Sequence, residues 1–157
     1  MATKTPDQWF DEYGASHQNR INKLIHWICV PLIAACVIAF FWEIPTPALM
    51  KEIPYLNWAL LLLAITTILY VRLSIPLAIG MLLFSAVVIG VIAVLERTSA
   101  VPVWKLALIV FVLAWIGQFF GHRIEGKKPS FLQDIQFLLI GPIWLLGFIY
   151  RKLGIPY

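Results

Sequence analysis

Three histidines stand where this chain could do chemistry. His17, His26 and His122 each sit at the polar edge of an apolar segment, two in Tyr13-Gly-Ala-Ser-His17-Gln-Asn19-Arg20-Ile-Asn22-Lys-Leu-Ile-His26 and one in Gln118-Phe-Phe-Gly121-His122-Arg123-Ile-Glu125. On a helix Asn19, Asn22 or Lys23, and His26 share a face, as do Gln118, His122 and Glu125. Imidazole with carboxylate suits iron, zinc or manganese. Two histidines and a carboxylate with open positions is the non-haem Fe(II) oxygenase pattern, and three histidines with an open position also suit a hydrolytic zinc. His17 is the awkward member. It lies nine positions before His26, about two and a half helical turns, so the two point oppositely unless the helix breaks between them. Singly, each histidine is ordinarily a helix cap or a snorkelling polar group, Gln118 could bond a neighbouring helix, and Glu125 with Arg123, Lys127 or Lys128 could be a solvated ion pair.

The segments that must position these groups are those of a membrane protein. The 157 residues are 61% hydrophobic and only 13% charged, against roughly 25% charged in a soluble domain. Residues 53–71 and 75–95 carry no charge at all and exceed the roughly 18 apolar residues of a spanning helix. Seven Trp and five Tyr suit interfacial belts. The length fits a single domain over 1–157. The net charge of +4 comes from basic residues flanking apolar segments, which fits orientation and headgroup contact rather than nucleic acid. Cys29 and Cys36 would lie about 10.5 Å apart along one helix, too far for a disulfide, and read as packing residues.

The pattern predicts an all-α integral membrane protein. Residues 7–23 form an N-terminal amphipathic helix, broken near Gly14, with mixed charges that mark a cytosolic segment rather than a signal peptide. Four spans follow, near 24–42, 55–73, 75–95 and 103–120. A fifth apolar segment, 131–150, carries Gly141-Pro142 at its middle, where proline removes a backbone hydrogen bond. If that segment dips in and returns, the only basic residues on the far side are Lys51, Arg97 and Lys105, and the other nine share one face. The positive-inside rule favours that arrangement. It predicts a broken or re-entrant fifth segment, cytosolic termini, and all three histidines on the cytosolic side.

The motifs themselves are familiar. Tyr13-x-x-x-His17-x-Asn19-Arg20-x-Asn22-x-x-x-His26-x-x-x-x-Pro31 and Gln118-x-x-Gly121-His122-x-x-Glu125-x-x-x-Pro129, followed by Gly141-Pro142, resemble the two motifs of the 2-hydroxy fatty acid dioxygenase family, once a domain of unknown function. Its characterised fungal member is an Fe(II)-dependent enzyme of the endoplasmic reticulum. The match runs from Tyr13 to Pro142. Ser130 and Phe131 depart from the small and aliphatic residues expected there, and no glutamate follows shortly after Trp144. The resemblance implies α-oxidation: a 2-hydroxy fatty acid and O₂ give a fatty acid one carbon shorter, in phytosphingosine breakdown. It implies Fe²⁺ as cofactor, held by His17, His26 and His122. Glu125 is implied as a catalytic residue, either a ligand or an acceptor that fixes an imidazole. Tyr13, Asn22, Gln118 and Arg123 are implied as substrate-binding, with Arg123 best suited to a carboxylate. The host membrane would be a bacterial inner membrane or the endoplasmic reticulum, and a homo-oligomer is compatible with all of this.

Two other classes compete. A zinc-dependent membrane lipid hydrolase could use the same ligands and would differ in needing no oxygen. A non-enzymatic scaffold or small transporter would hold no metal. A transporter places polar groups at the bilayer midplane, where the second and third spans offer little beyond Thr66, Thr67 and Ser85. A histidine-rich di-iron hydroxylase needs many more histidines than three.

Overall fold

The computed structural model describes residues 4–126 and 131–157, and for 131–137 the backbone alone. Lys127, Lys128, Pro129 and Ser130 lie outside the described residues, and so does the side chain of Phe131. Among the described residues the chain is helical without strands. The helices are α1 (Pro6–Gly14), α2 (Arg20–Glu43), α3 (Ala48–Lys51), α4 (Trp58–Leu73), α5 (Ile75–Thr98), α6 (Val103–Glu125) and α7 (Phe131–Leu153).

Local chemistry sets the boundaries. Thr5 begins α1 with a reciprocal capping box to Gln8, followed by Pro6 in the first turn, which satisfies amide groups that the first turn leaves without partners. Asn19 caps α2, its Oδ1 accepting from the Ile21 N–H at 2.8 Å. Between these helices, residues 15–19 supply the break that the separation of His17 from His26 demands. Asn57 caps α4 by accepting from the Leu60 N–H at 3.0 Å, so α4 starts three residues later than the apolar run does. Ser74 ends α4 and caps α5 in a single residue.

Helix α2 is central. It packs on α4, α5, α6 and α7, most extensively on α6. Helices α2, α5 and α6 are long and apolar enough to cross a membrane. Their outer faces, and that of α4, expose large apolar side chains such as Leu61, Ile65, Leu83, Val87, Ile109 and Leu113. Such continuous apolar surface is costly in water and suited to lipid. Because α2 runs away from the histidines and α6 runs back, His26 and His122 meet at one end of the bundle.

Helix α7 departs from expectation. Residues 131–153 form one continuous helix with Pro142 inside it, not a broken or re-entrant segment. The preceding glycine answers a packing demand instead of a turn: a Cβ on Gly141 would sit 3.1 Å from Val30 and 3.2 Å from the Tyr13 hydroxyl. Interior proline is tolerated where neighbouring helices support the backbone. Helix α7 nonetheless stays with the histidine end. The Tyr70 hydroxyl donates to Leu139 O at 2.9 Å, the Tyr150 hydroxyl to Pro76 O at 2.8 Å, and Arg151 lies 3.7 Å from Asp7 of α1. Helix α1 packs on α7 through buried Phe10 and Tyr13, in one core with Ile143, Trp144 and Leu145.

Candidate metal centre

The site is built where three pieces of chain converge: the 15–19 linker, the first turns of α2 and the last turns of α6. His17 comes from the linker, His26 from α2 and His122 from α6. One potential ligand atom from each lies within 4.8 Å of the others, and the group could hold a metal ion. The ring centroids are 4.2 Å apart for His17 and His26, 4.9 Å for His26 and His122, and 5.3 Å for His17 and His122. His17 and His26 are 2% and 1% exposed.

Hydrogen bonds orient two of the rings. Nδ1 of His17 lies 2.6 Å from Tyr13 O, and Nδ1 of His26 lies 3.0 Å from Asn22 O. A carbonyl oxygen only accepts, so each Nδ1 carries the proton and each Nε2 keeps its lone pair. Nε2 of His17 is buried with no hydrogen-bond partner. Burial pushes the His17 imidazole down to about 4, so it is neutral at physiological pH. A buried, neutral, unpartnered ring nitrogen beside two more imidazoles has the character of a metal ligand, because an orphaned buried acceptor is otherwise costly. The donor set therefore fits a first-row transition metal.

Glu125 faces elsewhere. Its Oε1 accepts from the Gln18 N–H at 2.8 Å, and its Oε2 accepts from the Asn19 N–H at 2.9 Å and from Asn22 Nδ2 at 3.0 Å. The carboxylate clamps the linker that carries His17 onto the end of α6. Asn22 completes the clamp. It is fully buried, and its Nδ2 also donates to Ser16 O at 3.3 Å. Gly121 makes room for it, since a Cβ there would fall 2.4 Å from Asn22 Oδ1.

The remaining sequence candidates are spread around this core. Tyr13 stacks on His17, with centroids 4.2 Å apart and planes 13° from parallel. Gln118 is half-buried one turn before His122, and Arg123, the residue after His122, is exposed. Trp144 is given no place in the site by the sequence. It is 4% exposed and walls the site, 4.9 Å from Tyr13 and 5.5 Å from His17 between centroids. No spacing rule links residue 144 to residue 17. The α2–α6 contact did have a signal, Gly117-x-x-x-Gly121, the small-residue spacing that lets apolar helices approach closely.

The family model described as 2-hydroxy-palmitic acid dioxygenase Mpo1-like matches residues 3–153. The chain belongs to the Mpo1-like family. The match covers every element that contributes to the histidine cluster, from the linker to α7. No curated protein and no solved structure matches the chain.

Proposed function

We propose that this Mpo1-like protein is a membrane Fe(II) dioxygenase that converts 2-hydroxy fatty acids to fatty acids one carbon shorter, with loss of the carboxyl carbon. The observation that carries the reading is the cluster of His17, His26 and His122 within 4.8 Å, in a chain whose family is described by that dioxygenase activity. In this reading the three imidazoles hold Fe²⁺. The metal, when bound, supplies activation of dioxygen, which the side chains alone lack. The Tyr13 and Asn22 carbonyls hold the His17 and His26 tautomers. Glu125 and Asn22 are positioning residues that fasten the linker. Arg123, exposed beside His122, offers a guanidinium that can pair bidentately with the substrate carboxylate, and Gln118 offers an amide to its hydroxyl. Tyr13 and Trp144 form an apolar wall behind His17 and keep water from that side of the site. The site and both termini lie on the cytosolic side, in keeping with the basic residues gathered at the histidine end.

The test is anaerobic purification, loading with Fe²⁺, and oxygen uptake on adding 2-hydroxypalmitate, with the product identified by mass spectrometry. Substrate-dependent uptake with formation of the C15 acid supports the reading. Stoichiometric zinc and no oxygen consumption would replace it with a hydrolase.

A further inference from the structure

Two cavities, each of about 130 Å³, lie between α2, α5 and α7. The outer one begins at Trp27 and Pro31 of α2, with Leu145 and Ile149 of α7 opposite. The inner one continues along the same face of α2 at Ala34, Val37 and Ile38, and reaches Thr66 and Tyr70 of α4. The two share Met81, Phe84 and Pro142 in their walls, so they adjoin end to end along α2 as the two halves of one slot.

The slot's outer wall is built from chain neighbours of the site residues. Trp27 follows the ligand candidate His26, and Leu145 follows Trp144, which packs on His17. Phe148 joins the two sides, 4.7 Å from Trp144 and 6.2 Å from Trp27 between centroids. Trp27 and Ile149 remain 39% and 41% exposed, which leaves the mouth open toward the lipid-facing surface. From Trp27 to Ile38 the α2 wall runs about 16 Å at ~1.5 Å per residue. That is about half of a ~30 Å hydrocarbon core, the reach of a single acyl chain in one leaflet.

The lining chemistry selects hydrocarbon. Among the described residues, neither cavity has a charged side chain in its wall. The hydroxyls of Thr66, Tyr70 and Ser85 are already donated to the carbonyls of Leu63, Leu139 and Met81 at 3.1, 2.9 and 2.8 Å. With those donors committed, the Thr67 hydroxyl is the further polar side-chain group in the described inner wall, which presents mainly carbon. We propose that the slot holds the hydrocarbon tail of the substrate, entering past Trp27 and Ile149, and that the inner cavity sets the longest chain accepted. This rests on the proposed action on 2-hydroxy fatty acids, whose polar end would then stand at the histidines.

The first test uses the unaltered protein in nanodiscs with a 2-hydroxy fatty acid that carries a diazirine near its methyl end. Labelling should concentrate at Ala34, Val37, Ile38, Thr66 and Thr67, and excess 2-hydroxypalmitate should compete it away. Uncompeted labelling of the outward-facing Leu61, Ile65 and Leu83 would overturn the proposal. The second test fills the inner cavity from opposite walls, with Ala34→Phe on α2 and Ser85→Leu on α5. Each excluded methylene should weaken long-chain binding about fourfold, so the short-to-long preference in oxygen uptake should rise about 60-fold for three methylenes. An unchanged preference in both variants would overturn it. Competed labelling of the inner cavity without any oxygen uptake would keep the slot and remove the dioxygenase reading. Oxygen uptake with labelling only at lipid-facing positions would do the reverse.

Discussion

Replacing Glu125 by alanine separates a clamp from a metal ligand. The substitution removes the acceptor for three N–H groups, on Gln18, Asn19 and Asn22. The Gln18 bond is exposed, and water replaces it at little cost. The Asn19 and Asn22 bonds are partly buried. At ~1.5 kcal/mol for each hydrogen bond to a charged acceptor, the two contribute about 3 kcal/mol. That energy holds the linker that bears His17. If the linker must be reclosed to bind metal, the loss appears in metal affinity as roughly a 100-fold weakening. Competition against a chelator under anaerobic conditions reads this directly. Glu125→Gln should fall in between, because it keeps one acceptor oxygen but turns an amide N–H₂ toward other donors. A loss in Glu125→Ala as complete as that of His17→Ala would make Glu125 a ligand. A change below threefold would show that the clamp does not position His17 at all.

Other consequences follow from the same contacts. Asn22→Ala removes the partner shared by Ser16 O and Glu125, so its effect on metal affinity should be less than additive with Glu125→Ala, with a coupling of about 0.5–3 kcal/mol in a double-mutant cycle. Gly121→Ala places a methyl 2.4 Å from Asn22 Oδ1, and this overpacking should cost about 1–3 kcal/mol, read as a lower Tm in nanodiscs. Trp144→Ala empties the wall behind Tyr13 and His17 and should cost ~3–5 kcal/mol. Its Tm should fall further than that of Gly121→Ala.

The sequence revealed the ends of the site better than its interior. Histidines at the start of the first and the end of the fourth apolar segment share a membrane face because an even number of crossings separates them, and they do meet. The obstacle at His17 was also legible, since helical spacing alone turns it away from His26, and the 15–19 linker is the physical answer. The roles of Glu125 and Asn22 were not legible. Glu125 accepts from the backbone amides of Gln18 and Asn19, far away in sequence, and Asn22 donates to Glu125 and to Ser16 O; no side-chain pattern encodes those. Pro142 misled for a related reason. A proline advertises a lost hydrogen bond, yet what surrounds α7 decides whether the helix breaks, and contacts to Val30, Tyr13 and Tyr70 are invisible in a linear pattern. Trp144 belongs to the same class, because its place beside His17 arises only once α1 is packed on α7.

The most direct test of the three-histidine centre is iron stoichiometry after anaerobic Fe²⁺ loading, measured for the wild-type chain and for His17→Ala, His26→Ala and His122→Ala, each verified as helical by circular dichroism. One iron per wild-type chain and none retained by any folded variant is the predicted result. Full iron retention by a folded variant would remove that histidine from the centre, and retention by all three would contradict the account.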